Sequence, residues 1–123
     1  TLNIRFSTEQ TEQSLKQHLQ HCLTQCHLPP DFQWQLNGAP FLTAQGKLLE
    51  VCTQVLQQHL GHAPHLSTDG GTSDGRFIAP YGIEVLELGL LYGTIHQANE
   101  CIGLHDLQEL AGLYQKIIMA LLA

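Results

Sequence analysis

Apolar residues along this chain follow two different spacings, and each spacing predicts a different kind of element. Alternation of apolar and polar positions is typical of a strand, because successive side chains on a strand point to opposite faces. Leu2, Ile4 and Phe6 alternate in this way, and Phe32, Trp34 and Leu36 do so again. With a further short apolar run, the pattern predicts strands over residues 2–7, 32–36 and 83–89.

Helical spacing of apolar residues occupies three longer segments. The pattern predicts helices from Glu9 or Thr11 to Cys26, from Gly46 to Leu60 and from Leu104 to Leu122. Thr11, with Ser7 and Thr8, is a candidate N-cap of the first helix. Gly61 is expected to end the second helix.

The first helix carries an apolar stripe of Leu15, Leu19, Cys22 and Cys26. The stripe predicts that both cysteines are small buried side chains. The alternative is a zinc site formed by Cys22, Cys26 and His18. For the other two helices, the predicted inward residues are Leu48, Cys52, Val55 and Leu56, and then Leu107, Leu110, Tyr114, Ile117 and Leu121.

A strand–helix–strand unit over residues 2–37 would place two parallel strands in one sheet. Two short strands do not form a stable sheet alone, so we expect an α/β (α+β) fragment whose sheet partners lie upstream of Thr1. Residues 37–46, with turn residues and a proline, are typical of a linker. A domain boundary is therefore predicted near residue 40.

Composition narrows the classes of function. The 123 residues carry a net charge of −6, which argues against nucleic-acid binding. No apolar run approaches the roughly 20 residues of a membrane span, and the first residues do not have the basic-then-apolar pattern of a signal peptide. The four cysteines have no CxxC spacing. Together with the lack of a signal-peptide pattern, this predicts a cytoplasmic protein with reduced cysteines and no membrane contact.

The segment GGTSDGRF, residues 70–77, combines glycines, hydroxyl groups and one of the five basic residues. Glycine allows the backbone to approach a ligand, and Arg76 offers a planar fork that suits a carboxylate. The segment lacks the GK[ST] ending of a nucleotide phosphate loop. It therefore predicts carboxylate binding. The alternative is a helix-initiating turn capped by Asp74, with Arg76 in a surface ion pair.

His96 follows an apolar segment in the motif GTIHQANE. Imidazole is a common metal ligand, and Asn99 and Glu100 are positioned in sequence to orient its ring. The alternative is a hydrogen-bonded structural histidine.

Five segments of this chain, read together, resemble the C-terminal part of the succinyl-diaminopimelate desuccinylase family of dinuclear zinc amidohydrolases. They are NIRFSTEQ, LNGAPFLT, STDGGTSDGRFIA, EVLELG and GTIHQANECI, in the expected order. The resemblance implies a cytoplasmic bacterial homodimer. It also implies that residues 1–40 are the second half of an inserted α+β dimerisation domain and that residues 41–123 belong to the α/β catalytic domain.

The resemblance further implies hydrolysis of N-succinyl-LL-2,6-diaminopimelate to succinate and LL-diaminopimelate, a step toward lysine. In such enzymes two zinc ions, with cobalt as an alternative metal, polarise the amide carbonyl, and a glutamate is the general base. That glutamate and the other zinc ligands are expected upstream of Thr1, so the chain alone is expected to be inactive.

By the same resemblance, His96 is a zinc ligand, and the implied substrate-binding residues are Arg5, Gly71, Thr72, Arg76 and Tyr92. Two positions differ from the family pattern: Tyr92 replaces an asparagine, and Asn37 replaces a common serine. Two alternatives stay open, namely a related N-acyl amino acid deacylase and a non-catalytic dimerisation or binding fragment.

Overall fold

Three α-helices dominate the regular structure of residues 2–29, 32–69, 73–90 and 93–123, the parts of the chain that this computed structural model describes. They are α1 (Glu12–Gln25), α2 (Lys47–Leu60) and α3 (Leu104–Leu122). Two short 3₁₀ helices, Asp74–Phe77 and Ala79–Tyr81, lie between α2 and α3. The three helical predictions are confirmed, with ends that differ by less than one helical turn.

Side chains near the helix ends explain where two of the helices begin or end. The Thr11 hydroxyl accepts from the Ser14 amide at 3.0 Å, and Ser14 Oγ accepts from the Thr11 amide at 3.0 Å. This reciprocal pair is a capping box, which satisfies amides that lack a partner inside the helix. Gly61 ends α2 in the left-handed conformation (φ 76°), as predicted, and its amide donates to Gln57.

No strand is present in the parts of the chain that the structure describes. Residues 2–7, 32–36 and 83–89 form neither a helix nor a strand ladder, so the predicted strands are not observed. A strand exists only when a neighbouring strand pairs with its backbone groups, and periodicity alone does not supply that neighbour. The described residues are therefore helical, where the sequence predicted an α/β arrangement.

The hydrophobic core lies between α2 and α3. Its buried side chains are Leu49, Cys52 and Val55 from α2, and Leu113 and Ile117 from α3. Leu86 and Leu88, from the segment over residues 83–89, pack against the cluster that Cys52, Val55, Leu113 and Ile117 form. The segment over residues 83–89 therefore lies on the helix pair, although it pairs with no strand among the described residues.

The predicted inward face was partly wrong. Leu49 and Leu113 are buried but were not on the predicted stripes, while Leu107 and Tyr114 were on them and are exposed. The apolar residues of α3 surround much of its circumference, so spacing does not identify one buried face.

The prediction that Cys22 and Cys26 are buried was wrong, because both are exposed. Helix α1 buries none of its residues and has no packing contact with α2 or α3 in the described ranges. It lies instead against the segment around Trp34, where the Lys16 ammonium is 5.5 Å from the centre of the Trp34 ring. An apolar stripe needs a packing partner before it can be buried.

Within the described ranges, no helix has both the length and the apolar character needed to cross a membrane.

Candidate functional site

The turn that carries Arg76 is built on a serine cap. Ser73 Oγ accepts from the Gly75 amide at 2.9 Å and precedes the 3₁₀ helix Asp74–Phe77 as its N-cap. The predicted cap, Asp74, lies within the first turn instead. The shorter serine side chain, one residue earlier, reaches the free amide of the turn. None of the ion pairs between described residues includes Arg76, so the predicted surface pair is not observed there.

Gly75 fixes this turn against the rest of the chain. A Cβ atom at Gly75 would lie 2.7 Å from Val85 Cγ1 and 2.8 Å from Phe41 Cζ, closer than real contacts allow. The Thr43 hydroxyl donates to the Val85 carbonyl at 2.9 Å, which ties the same two segments together. Gly75 is therefore required for packing, whereas the sequence suggested a role in ligand approach.

Arg76 is half-buried beside an aromatic ring and a glycine. Its Cζ atom lies 4.7 Å from the centre of the Phe77 ring, within the range of a cation–π interaction. Its Nε atom is buried and has no hydrogen-bond partner among the described residues. A Cβ atom at Gly38 would lie 2.8 Å from Arg76 Cδ. The guanidinium is thus partly removed from water. Its attraction to an anion is stronger in this partly buried position than it would be in water.

Arg5 and Arg76 line the same cavity, of about 1210 Å³. These are the two arginines of the sequence, and the fold brings them to one space although they are far apart along the chain. Glu87 contributes one carboxylate to the lining. Other lining residues on the described chain include Phe32, Trp34, Asn37, Gly38, Phe41, Thr68 and Ser73. Among the described lining residues, two fixed positive charges stand against one carboxylate, a balance that favours an anionic ligand.

Most residues of this cavity were not predicted as site residues, and Trp34 and Gly38 are two of them. Trp34 Nε1 is buried without a hydrogen-bond partner among the described residues, and Gly38 contacts Arg76. The alternation of Phe32, Trp34 and Leu36 indicated a shared face but not what that face meets. Nothing in the local spacing of residues indicated that Gly38 lies next to Arg76.

His96 lies in a strained turn and is not among the described residues that line this cavity. Its φ of 60° and the φ of 64° at Asn99 are left-handed, a conformation that costs non-glycine residues energy. Glu100 Oε2 accepts from the His96 backbone amide at 3.4 Å. Glu100 was predicted to orient the imidazole ring, but its observed contact is with the backbone. Thr94 closes the turn through two hydrogen bonds with Cys101, of 2.7 and 3.1 Å.

The residues that the structure describes contain no group of three or more His, Cys, Asp and Glu side chains arranged to hold a metal ion. The alternative zinc site of Cys22, Cys26 and His18 is therefore not formed in the described chain. Gly71, Thr72 and Tyr92 lie outside the described residues, and their substrate contacts stay predictions.

Comparison with known proteins agrees with the resemblance seen in the sequence. Proteins named succinyl-diaminopimelate desuccinylase are 56% identical over 121 residues in Legionella pneumophila (strain Corby) and 47% identical over 123 residues in Acinetobacter baumannii (strain AYE). These matches cover 98% and 100% of this chain, but 32% and 33% of the two relatives. The chain thus spans about a third of the length of the curated relatives it matches. The sequence model of peptidase family M20/M25/M40 matches residues 11–120, and the chain belongs to that family.

Proposed function

We propose that this chain is the part of a metal-dependent amidohydrolase that binds the carboxylates of N-succinyl-LL-2,6-diaminopimelate and supplies one metal ligand, His96. The products are succinate and LL-diaminopimelate. The names of the relatives support the reaction. The observation that carries the binding role is the cavity shared by Arg5 and Arg76.

The chemistry of the cavity suits this substrate, which carries several carboxylates. Arg76 forms a bidentate pair with one carboxylate, and its partial burial strengthens that pair. Arg5 is exposed at the same cavity and binds another carboxylate. Glu87, the carboxylate in the lining, repels an acidic group and attracts the substrate's ammonium group. Binding at two separated arginines fixes the direction of the substrate as well as its affinity.

The cavity also bears on domain organisation. In the proposal, residues 1–40 are the second half of an inserted dimerisation domain, and residues 41–123 belong to the catalytic domain. Arg5 and Asn37 enter the cavity lining from the first part, and Arg76 and Glu87 enter it from the second. Small-molecule sites favour such domain interfaces. The parent enzyme is proposed to be a cytoplasmic homodimer.

The zinc centre of such an enzyme does not fit the described residues of this chain by themselves. A catalytic zinc site normally has three protein ligands, and His96 is a single exposed imidazole. The proposal therefore assigns the general base and the remaining ligands, for zinc or cobalt, to the other two thirds of an enzyme of the relatives' length. His96 contributes one nitrogen ligand to that centre.

The test uses a chimera in which this chain replaces the matching third of the Legionella pneumophila relative. We expect the chimera to hydrolyse N-succinyl-LL-diaminopimelate with bound zinc, and His96→Ala to abolish most of that activity. His21→Ala, at an exposed histidine on α1, is the matched control and is expected to leave activity unchanged. A folded, zinc-loaded chimera that hydrolyses no N-acyl substrate would support the non-catalytic binding fragment instead.

A panel of N-acyl amino acids separates the related deacylase from the desuccinylase. Tyr92, which stands where the resembling family has an asparagine, is the position that favours this second candidate. If the chimera prefers N-acetyl substrates and Tyr92→Asn restores preference for the succinyl group, the deacylase is correct. Preference for the succinyl substrate with Tyr92 present supports the desuccinylase.

A further inference from the structure

We propose that Gly38 is a positioning residue for Arg76, because its missing side chain leaves the space through which the arginine reaches the cavity. A Cβ atom at Gly38 would lie 2.8 Å from Cδ, 3.1 Å from Nε and 3.5 Å from Cζ of Arg76. Three consecutive atoms of the arginine therefore run along the Gly38 backbone. This contact crosses the predicted boundary near residue 40, so it links the two parts of the chain at the ligand cavity.

The backbone at Gly38 gives no other reason for glycine. Its φ is not in the left-handed region, which among glycines of the described chain is occupied by Gly61 and Gly82. Alanine can adopt the same conformation there without strain. All three close atoms belong to the flexible Arg76 side chain, which can move aside. Gly38→Ala is therefore expected to displace the guanidinium and leave the fold intact.

The surroundings of Arg76 explain why a small displacement matters. The Phe77 ring holds Cζ at 4.7 Å, and the buried Nε has no partner among the described residues. Both features depend on the side chain lying against Gly38. A methyl group at Gly38 would force the guanidinium away from its present direction, and a bidentate pair with a carboxylate is lost when its direction changes.

The consequence for activity rests on the proposed function, and the chimera measures it. We expect Gly38→Ala to lower kcat/KM about 10- to 100-fold, the scale of a misplaced binding group. The matched control is Gly89→Ala, since a Cβ atom there would meet no atom of the described residues within 4 Å and its φ is not left-handed. In an Arg76→Met background, Gly38→Ala should have no further effect, because the group that it displaces is absent. An undiminished loss in that background would overturn the proposal.

A second readout does not depend on any activity. The chain has two arginines, so labelling with ¹⁵N-arginine gives two Nε–H signals, and Arg5→Lys identifies the one from Arg76. We expect the Arg76 signal to be shifted by the Phe77 ring and to exchange slowly with water. Gly38→Ala should remove both properties, and Gly89→Ala should remove neither. An Arg76 signal unchanged by Gly38→Ala overturns the positioning role. An unchanged kcat/KM in Arg76→Met, together with a displaced Arg76 signal in Gly38→Ala, overturns only the substrate role of Arg76.

Discussion

Arg76 combines a permanent charge with partial burial, and both properties matter for binding an anion. Lysine at this position would keep the charge but lose the planar fork. In the chimera, we expect Arg76→Lys to cost roughly 2–4 kcal/mol in kcat/KM, the scale of a broken charge pair. Zinc content and thermal stability of the variant should match those of the unmodified chimera. Kinetics within about twofold of the unmodified chimera would mean that Arg76 binds no substrate carboxylate.

The four cysteines fall into two classes of reactivity. Cys22, Cys26 and Cys101 are exposed, whereas Cys52 is 3% exposed in the core between α2 and α3. We expect three thiols to react rapidly with Ellman's reagent at pH 8, and the fourth to react at the rate of unfolding. Cys52→Ala should remove the slow class and keep the fast one. Four equal rates would show that the core between the two helices is open.

Cys52 also makes stability depend on pH. Burial raises the pKa of the Cys52 thiol above its ordinary value of 9.0, because the thiolate loses its hydration. The unfolded chain then releases this proton at a lower pH than the folded chain does. Stability is unaffected well below pH 9 and falls as the pH rises through that value. Urea titrations from pH 7 to pH 10 should show this loss in the wild type and a smaller loss in Cys52→Ala.

At the scale of elements, α2 receives its N-terminal cap from a distant residue. Glu84 Oε2 accepts from the Leu48 amide at 2.7 Å, and Gly46, the N-cap residue, supplies no side chain. A carboxylate at this end also interacts favourably with the helix dipole. We expect Glu84→Ala to reduce the free energy of unfolding by about 1 kcal/mol, the usual cost of a lost cap. Urea denaturation of the chain measures this.

Glu87→Ala is the control for that measurement, because Glu87 lies on the same segment and its carboxylate accepts no hydrogen bond from another described residue. Gly46→Ala should reduce the free energy of unfolding by a similar amount. A Cβ atom at Gly46 would lie 1.8 Å from Glu84 Oε1 and would therefore displace the carboxylate from the helix end. The double variant should lose little more than either single variant, because both remove one interaction. Additive losses would show that Glu84 does not cap α2.

The helices could be predicted from the sequence because their hydrogen bonds are local. Thr11 and Gly61 mark two ends by side-chain and backbone chemistry that acts within a few residues. The predicted strands over residues 2–7 and 83–89 depend on pairing that local pattern does not contain. The buried faces of the helices were harder to predict than the helices themselves. Cys22 is exposed and Leu113 is buried because burial depends on which segments pack against each residue.

At the scale of the whole molecule, the candidate site is built between distant segments. The sequence identified Arg76 from its glycine-rich turn, and family resemblance identified Arg5. Their common cavity, and the contact of Gly38 with Arg76, follow from the folded chain. Local spacing and resemblance therefore indicated candidate binding groups, but not the residues that contact them, because those contacts join parts of the chain that are remote in sequence.

The 123-residue chain by itself lacks a complete zinc site among its described residues, which contain no cluster of three metal-ligating side chains. We therefore expect it to bind zinc weakly and to hydrolyse no N-succinyl substrate. Mass spectrometry of the purified chain after dialysis against trace zinc measures the metal content. His96→Ala in the chimera should lower zinc content by removing one ligand. Stoichiometric zinc in the isolated chain, unchanged by His96→Ala but lost in Cys22→Ala, would instead place a metal at Cys22, Cys26 and His18 and contradict the assignment of His96.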